Sequence, residues 1–452
     1  MPPILMLIFC TALVALLLHI ERKGNPSASL ALWIPTLYML IIGSRPVGSW
    51  FGLQTSTVEA GSPMDMAVLM TLLVFALIVL FWRKNEWSLT LKNNFALIFL
   101  YAFVGISILW SDYTFLSFKR WIRLLLVIPM ALVVLSERSP LAALESIVRR
   151  CAYVLVPFSI ILAKYYPHLG VTYSRWSGFL SWNGVTLQKN ALSQLCLLSI
   201  FFIIWTFARD KRNGFKPTSK TLADGLIWVI AVYMLFGGPG GYSATSTANF
   251  VVIILCLTLF YKMGNWATQT ATLLTSGAVM AWVLLIFSES FVSTMTPLVG
   301  RDATFTDRIE VWAMALRDAA QHPILGSGFG GYFATDNDFT ITYGNTGHNG
   351  LLDVYVELGV VGVIFVLVFL FSFFRKVHRV LNQSFDWGVL GIIFLIITLL
   401  ANYTESLFIK SSTYMWNILI FLAVLFSAPH LYAKESGLSM KNASHPNQTC
   451  ER

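Results

Sequence analysis

Arg301, Arg308 and His348 are three residues of one long polar stretch of the chain, 289–349, whose side chains could carry out chemistry. Imidazole titrates near neutral pH, so His348 can take a proton from a hydroxyl group. Guanidinium groups bind phosphate through paired hydrogen bonds, which suits Arg301 and Arg308 to an anionic ligand. This combination predicts proton transfer beside a bound anion. A purely structural His348, and an Arg308 that only pairs with a neighbouring carboxylate, are the open alternatives.

Carboxylates follow the histidine on the next apolar segment. Asn349 comes directly after His348, and Asp353 and Glu357 then lie at i, i+4 positions on one helix face. A carboxylate inside a membrane span is costly, which implies a partner or a function for each of them. We therefore include Asn349, Asp353 and Glu357 in the predicted site.

Arg175 and Lys189 bracket the outward connection 165–189, and Arg120 and Arg123 lie near the outer start of the apolar run 121–137. We expect the three arginines to converge on the same anion, because a pyrophosphate is held bidentately by arginine and less well by lysine. Each can instead reach lipid headgroups, which we favour for Lys189. Trp176 can stack on a sugar ring or belong to the interfacial aromatic belt.

An amphipathic helix is predicted to begin at Asp307 and to end before His322-Pro323. Asp307 can cap this helix, Glu310 stands three residues later, and apolar residues follow at helical spacing. We expect the helix to lie in the membrane interface. Arg308 would then lie in the first turn, where backbone N–H groups bind anions.

Two other motifs carry weaker signals. The segment 326–330 is rich in glycine, but it lacks the pattern of a P-loop or a dinucleotide fingerprint, and we favour a flexible turn. Asp336-Asn337-Asp338 has the spacing by which two carboxylates hold a metal ion, yet no second acidic cluster completes an oxygen cage. We therefore expect neither a metal site nor a cofactor.

Membrane helices are the elements that must position these residues. Hydrophobic residues make up 56% of the 452 residues and charged residues 12%, too little polar surface for a soluble protein of this length. The sequence predicts an all-α fold, a polytopic membrane helical bundle of about 12–13 transmembrane helices with one large extracytoplasmic loop. The apolar runs are 3–20, 28–44, 66–82, 95–110, 121–137, 150–164, 190–208, 222–237, 249–262, 268–288, 350–374, 386–402 and 413–432.

Basic clusters mark every second connection as cytoplasmic, because cytoplasmic loops retain Lys and Arg. This topology accounts for the net charge of +9 better than nucleic-acid binding does. The clusters are Arg22-Lys23, Arg83-Lys84, Arg149-Arg150, Arg209 with Lys211 and Arg212, and Arg375-Lys376 with Arg379. The outward connections are then 45–65, 111–119, 165–189, 238–248, 289–349 and 403–412.

Four segments of different character follow from this topology. They are an N-terminal transmembrane bundle (1–288), an extracytoplasmic loop with the interfacial helix (289–349), C-terminal transmembrane helices (350–432) and a cytoplasmic polar tail (433–452). Residues 3–20 lack the basic start of a signal peptide, so we interpret them as a retained membrane helix. No cysteine lies in the long loop, and no disulfide is expected there.

Seven segments together resemble the signature region of one family. They are Thr304–Trp312, His322–Gly330, His348–Leu352, Glu357–Gly362, Trp110-Ser111, Arg175–Gly178 and Lys189-Asn190. This set is similar to the O-antigen ligase and O-antigen polymerase superfamily, which includes exopolysaccharide polymerases. The resemblance implies a metal-independent, inverting glycosyltransferase of the bacterial inner membrane, with its active site facing the periplasm.

By this resemblance, the donor is a glycan on undecaprenyl diphosphate. The acceptor is a sugar hydroxyl, on lipid A–core for a ligase or on another lipid-linked repeat unit for a surface polysaccharide polymerase. Arg308 would contact the donor pyrophosphate, and His348 would deprotonate or position the hydroxyl. Arg175 matches the family's arginine in an earlier outward loop, and we expect it to lie close to His348.

The chain departs from the family at one position. The family has Thr-Gly-Arg where this sequence has Thr306-Asp307-Arg308, and a carboxylate beside the arginine weakens its attraction for phosphate. Arg301 is therefore a substitute candidate for binding the pyrophosphate, together with Arg120 and Arg123. Trp176, Asn349, Asp353 and Glu357 are the residues we assign to the acceptor or its sugar.

A transporter or flippase of lipid-linked oligosaccharide is the alternative function. It predicts charged or broken helices at the bilayer midplane, whereas the candidate residues gather at the outer face. The expected partners are the lipid-linked glycan, the acceptor glycan and membrane lipids, with no nucleic acid. Other polysaccharide-assembly proteins are potential partners.

Overall fold

The structure is a computed structural model of the chain. It describes residues 2–53, 61–83, 87–173, 178, 180–214, 216–236, 243–263, 277, 308–334, 339–340, 344, 346–428 and 431–432. Most of these residues are helical.

The helices are α1 (Pro3–Gly24), α2 (Trp33–Ile42), α3 (Val47–Trp50), α4 (Pro63–Trp82), α5 (Trp87–Asn93), α6 (Phe95–Ile106), α7 (Thr114–Leu125), α8 (Val127–Leu135), α9 (Pro140–Tyr165), α10 (Pro167–Gly170), α11 (Lys189–Arg212), α12 (Ser219–Leu235), α13 (Ala244–Met263), α14 (Arg308–Ala319), α15 (Gly350–Gln383), α16 (Phe385–Thr404) and α17 (Tyr414–Leu425). Short 3-10 helices cover Leu30–Leu32, Ser107–Trp110 and Tyr332–Ala334.

Seven of these helices are long and apolar enough to cross a membrane, namely α1, α4, α9, α11, α13, α15 and α16. Three shorter apolar stretches, Leu30–Ile42, Phe95–Trp110 and Tyr414–Leu425, accompany them. The predicted fold class, an all-α polytopic membrane bundle, is confirmed. The apolar run predicted over 121–137 is formed by two successive helices, α7 and α8, which meet at Leu126. The run predicted over 268–288 lies outside the described residues.

Helices α9, α11 and α16 form the centre of the bundle, because most residues of their apolar segments are buried. Helices α1, α4 and α13 lie at its periphery, where only 17%, 28% and 33% of their apolar segments are buried. Phe81, on α4, is 85% exposed. An exposed apolar surface of this kind marks contact with membrane lipid.

One small sheet interrupts the helical pattern, inside the connection 165–189. Strands β1 (Val171–Tyr173) and β2 (Leu180–Trp182) pair antiparallel, with Val171 opposite Trp182. Strands of three residues carry too little periodic signal to be seen in the sequence. The base of this hairpin is held by Arg45, which donates hydrogen bonds to the carbonyl oxygens of four residues, Leu169, Gly184, Val185 and Thr186.

Helix α15 is broken at Gly359, where φ is 63° and ψ is −166°. The residues 322–331, which we call the strap, pack against the break. Val360 N–H donates to the Pro323 carbonyl at 2.9 Å, and Val361 N–H donates to the Ile324 carbonyl. On the other side of the break, Ser327 N–H and Gly328 N–H donate to carbonyls of α15. The strap therefore supplies partners for backbone groups that a continuous helix would pair internally.

Two clusters of buried and partly buried polar residues, most of them charged, lie at the two ends of the bundle. The Arg150 end comprises Glu21, Arg83, Glu137, Glu145, Arg149, Arg150, Arg209 and Asp224, which lie beside the connections predicted to be cytoplasmic. The His348 end comprises Arg45, Arg120, Asn190, His348, Asp353, Glu405 and Lys410, which lie beside the connections predicted to face outward.

Candidate active site

His348 lies in a tight turn at the start of α15. Its φ is 52°, a left-handed conformation that is uncommon for residues other than glycine. Asn349 follows as the N-cap residue, and its side-chain oxygen accepts hydrogen bonds from Leu351 N–H at 3.1 Å and Leu352 N–H at 3.2 Å. This cap fixes where the helix begins and so fixes the position of the residue before it.

Asp353 holds the same turn from inside the protein. One carboxylate oxygen accepts from Gly347 N–H at 2.9 Å, and the other accepts from Lys410 Nζ at 2.8 Å. The Gly347 carbonyl in turn accepts from Trp312 Nε1 at 2.9 Å, which ties α14 to the turn. Only 4% of the Asp353 side chain is exposed, so the lysine provides the partner that a buried carboxylate requires.

The connection 403–412 delivers Lys410 to this carboxylate. Asn402, fully buried at the end of α16, accepts from Leu407 N–H and Phe408 N–H, both at 3.1 Å. Ile409 then has a φ of 56°, a strained value for a β-branched residue. The hydrogen bonds to Asn402 and the left-handed conformation of Ile409 together turn the chain so that Lys410 points at α15.

A second carboxylate of the same connection faces the histidine. Glu405 Oε2 lies 3.8 Å from His348 Nδ1, and Glu405 Oε1 accepts from Asn190 Nδ2 at 2.6 Å. The His348 side chain is 40% exposed, whereas that of Glu405 is 13% exposed. Three segments therefore meet here, namely the start of α11, the end of α16 and the start of α15. The arrangement is an accessible imidazole with an oriented carboxylate behind it.

Glu357 lines a small cavity beside this group. It shares the cavity with Asp353, Phe329, Phe408 and Lys410. The two carboxylates predicted on one helix face do lie on the same side of α15. Asp353 is buried and Glu357 is half-buried.

Helix α7 turns its arginines towards the protein. Arg120 and Arg123 are buried, whereas Phe115 and Phe118 on the same helix are exposed. Arg120 Nη1 donates to the carbonyl oxygen of Gly330 at 2.6 Å, which joins α7 to the strap. The two arginines thus lie at the His348 end, beneath an apolar surface that faces outward from the bundle.

The glycine-rich segment of the strap forms turns, as its sequence indicated, and these turns are packed against the bundle. Gly328 lies so close to Ser111 that an added Cβ would come within 2.6 Å of its Cα. Phe329 N–H donates to Ser107 Oγ at 3.2 Å. At the strap's end, Tyr332 donates to Asp318 at 2.7 Å, and burial with this hydrogen bond raises the pKa of the phenol.

Several predicted site residues lie outside the described part of the chain. They are Arg175, Trp176 and Arg301, together with Asp336 and Asp338 of the weak metal motif. Arg308 begins α14, as the capping signals indicated within one residue, but its side chain is not described. The expected proximity of Arg175 and His348 therefore stays a prediction. Within the described residues, no group of three or more His, Cys, Asp or Glu side chains could hold a metal ion.

The sequence did not point to Glu405, Lys410 or Arg45 as parts of this end, and it marked Asn190 only as part of a segment that resembles the family. Glu405 and Lys410 are the two charged residues of the connection 403–412, which is otherwise polar or apolar. Isolated charges in a short outward loop were the available signal. Their partners, His348 and Asp353, lie more than fifty residues away in the sequence, and only the fold brings them together.

The fold and this site define a polytopic membrane protein with a potential acid–base centre at one end of the bundle. Residues 229–367 match the family model described as O-Antigen ligase. The chain is also 25% identical over 318 residues to the Exopolysaccharide production protein ExoQ of Rhizobium meliloti (strain 1021), a match that covers 67% of this chain and 70% of ExoQ.

The two matches support the resemblance to an O-antigen ligase-like superfamily that the sequence motifs indicated. They support a membrane protein that processes polysaccharide as a ligase or polymerase. The matched residues 229–367 include His348, Asp353, the strap and α14.

Proposed function

We propose that the protein is a glycosyltransferase that moves a glycan from an undecaprenyl-diphosphate donor to a sugar hydroxyl at the His348 end. The observation that carries this proposal is the pair formed by His348 and Glu405, in which an accessible imidazole faces a carboxylate that Asn190 holds. A sugar hydroxyl is a poor nucleophile until a base takes its proton, and a histidine backed by a carboxylate is suited to that role.

The two ring nitrogens of His348 then have different tasks. Nδ1 faces Glu405, so a proton on Nδ1 leaves Nε2 free to accept the hydroxyl proton. Glu405 stabilises the imidazolium that forms as the hydroxyl oxygen attacks the anomeric carbon. Asn190 keeps the carboxylate in place, since its amide donates to the second oxygen.

The leaving group is a lipid diphosphate, which is stabilised by nearby positive charge and does not have to be protonated before it leaves. Charge develops on the phosphate oxygens as the glycosidic bond breaks, and fixed arginines stabilise it. We assign this task to Arg120, Arg123, Arg175, Arg301 and Arg308. The buried position of the α7 arginines supports the assignment, because a low-dielectric site strengthens their interaction with an anion. The reaction proposed here is inverting and uses no metal ion.

Asp353 acts through the turn that carries His348. Both of its oxygens are engaged, by Gly347 N–H and by Lys410, so its contribution is to hold the histidine in place. We retain Asn349, Glu357 and Trp176 as residues on the acceptor side. Accurate placement matters, since a displacement of about 1 Å at a reacting group can cost about 100-fold in rate.

The proposed location is the bacterial inner membrane, with the His348 end facing the periplasm. The basic clusters of the Arg150 end support this orientation, because retained Lys and Arg mark the cytoplasmic side. The acceptor is lipid A–core if the protein is a ligase, or a second lipid-linked repeat unit if it is a polymerase. The similarity to an exopolysaccharide production protein supports the polymerase.

The test is reconstitution of the purified protein with a lipid-linked oligosaccharide and each acceptor. We expect His348→Ala to lower the transfer rate by about 10²–10⁴-fold, the range for loss of a general base. Arg308→Ala should lower it as well, and His19→Ala, at an exposed histidine of α1, should leave it unchanged. If well-folded His348→Ala and Arg308→Ala variants both transfer glycan at the wild-type rate, the assigned site is wrong. Activity that is lost with EDTA and restored by a divalent ion would disprove the metal-independent reaction.

The break in α15 favours a second candidate, a transporter or flippase of lipid-linked oligosaccharide, because such proteins use interrupted helices. The break is closed by the strap, however, and lies only nine residues from the start of the helix rather than at its middle. Transbilayer movement of a labelled lipid-linked sugar without any acceptor would support the transporter. Transfer of the sugar to an acceptor, without such movement, would support the glycosyltransferase.

A further inference from the structure

An apolar groove of about 500 Å³ opens between α1, α2 and α9. Leu37 and Leu40 line it from α2, Val154 and Phe158 from α9, and Leu7 from α1. Volumes of this size are typical of sites that bind small ligands, and an almost wholly apolar lining selects hydrocarbon over a polar group.

At the His348 side the groove is closed by three residues, which we call the roof. Arg45, Trp50 and Val185 form this roof. The Arg45 guanidinium lies 4.6 Å from the centroid of the Trp50 ring and donates to the Gly184 carbonyl at 2.9 Å. Ser159 of α9 accepts from Val185 N–H at 3.3 Å, which fixes the roof to the wall of the groove.

One segment of chain connects this roof to the candidate active site. Val185 lines the groove, and five residues later Asn190 donates to Glu405, the carboxylate that faces His348. The hairpin of β1 and β2 rises from the same roof, and the connection between its strands contains Arg175. The groove therefore opens on the lipid-facing side of the bundle and ends beside the segment that leads to Asn190 and the His348–Glu405 pair.

We propose that the groove holds the polyisoprenoid chain of the lipid-linked donor. The inference rests on the proposed function, in which the bond that breaks lies at the membrane surface while its lipid remains in the bilayer. A diphosphate beside the hairpin places the first isoprene units next to the roof, and the apolar walls then take the chain. Ordinary bilayer lipid is the competing occupant. It carries no diphosphate that would hold its chain next to the candidate active site.

Tryptophan substitutions that fill the groove provide the test. Leu37→Trp and Val154→Trp add bulk from opposite walls at positions that are not fully buried, so the fold can accept them. Leu77→Trp and Val74→Trp on α4 are matched controls, because both side chains are exposed outside the groove. Each variant is assayed with one glycan on two donors, a long polyprenyl diphosphate and a short-chain analogue that does not reach the walls.

We expect the groove variants to raise KM for the long-chain donor about tenfold, a shift that corresponds to about 1.4 kcal/mol of lost binding. Their kcat/KM for the short-chain donor should equal that of wild type, which also shows that they are folded. The α4 controls should match wild type with both donors. Groove variants that keep the wild-type preference for the long chain would overturn the inference.

Photocrosslinking tests what the groove binds independently of whether the protein transfers glycan. A diazirine on a polyprenyl diphosphate should label α2 or α9, and unlabelled polyprenyl diphosphate should compete where phosphatidylethanolamine does not. Labelling that phosphatidylethanolamine removes equally well would assign the groove to bulk lipid and overturn the inference. If wild type transfers no glycan from either donor, the proposed function fails, and this labelling still decides what the groove binds.

Discussion

Arg149 and Arg150 at one end of the bundle and Arg45 at the other bind different kinds of partner. At the Arg150 end, guanidinium groups meet carboxylates directly, as in Arg150 with Glu21 at 2.6 Å and Arg149 with Asp224 at 3.1 Å. At the His348 end, Arg45 donates to four backbone carbonyls, and Arg120 donates to a fifth. Carbonyl groups satisfy the hydrogen bonds of an arginine without cancelling its charge.

This difference supports the proposed placement of the active site at the His348 end. Ion pairs that close on each other leave little net charge for a ligand, and their role at the Arg150 end is to join α1, α9 and α12. An arginine held by carbonyls keeps its positive charge, which attracts an anion at a site of low dielectric constant. The partly exposed His348 lies beside Glu405 at the same end, where we propose the acid–base chemistry. Four substitutions test this comparison, in order of decreasing expected effect on stability.

The largest effect is expected from Glu21→Gln at the Arg150 end. Removing one partner of a buried pair leaves Arg150 uncompensated and should lower the free energy of unfolding by about 3–5 kcal/mol. Thermal unfolding in detergent measures the loss, while the transfer rate per folded molecule should stay at the wild-type value. Adding Arg150→Met to Glu21→Gln should recover much of the stability. A Glu21→Gln variant as stable as wild type would contradict the structural role of this pair.

Gly359→Ala should destabilise the break in α15 by about 3 kcal/mol. The residue would need a φ of 63°, and its Cβ would lie 2.2 Å from the Ile324 carbonyl oxygen. Gly225→Ala in α12 is the control, because nothing lies within 4 Å of an added Cβ there. Equal melting temperatures for the two variants would mean that the strap does not pack on the break.

Asp353→Asn should remove the charge that holds Lys410 and cost about 2 kcal/mol, the value of a hydrogen bond between charged groups. Because the same side chain positions the His348 turn, the transfer rate should fall about 10–100-fold. Asp112→Asn, at an exposed aspartate of the same end, should change neither quantity. A variant that loses stability but keeps its rate would show that Asp353 has no positioning role.

Arg45→Lys should have the smallest effect, about 1 kcal/mol of stability. Lysine keeps the charge but has no planar fork of donors, so it cannot bond the same four carbonyls. Protease sensitivity of the hairpin should therefore rise before the whole protein unfolds. Arg138→Lys, at an exposed arginine, serves as the control. Hairpin cleavage at the same rate in both variants would count against the anchoring role of Arg45.

Long apolar runs were sufficient to predict most of the bundle. The runs 150–164, 190–208 and 386–402 lie within α9, α11 and α16, because some twenty apolar residues admit few structures other than a membrane helix. The break at Gly359 was not predicted, since apolar residues continue on both sides of it and only the strap makes the interruption stable. The sequence around Gly359 could not show that the strap, about thirty residues earlier in the chain, supplies the hydrogen-bond partners of the break.

The site was predictable only where local signals sufficed. His348, Asn349 and Asp353 stood out as polar residues at the edge of an apolar run, and Asp353 does have the buried partner that its position required. Glu405 and Asn190 could not be assigned, because their roles depend on contacts between α11, α15 and α16. Arg45 carried no local signal, because its four carbonyl partners come from a distant part of the chain.

The break at Gly359 also bears on how the protein is made. Residues 360–383 alone are long enough to cross about 30 Å of hydrocarbon, so this part of α15 can enter the membrane during synthesis without residues 350–358. The strap precedes α15 in the chain and has already left the ribosome when the helix appears. We expect the short first part of α15 to dock onto it after insertion, so that the His348 turn is assembled as a late step of maturation.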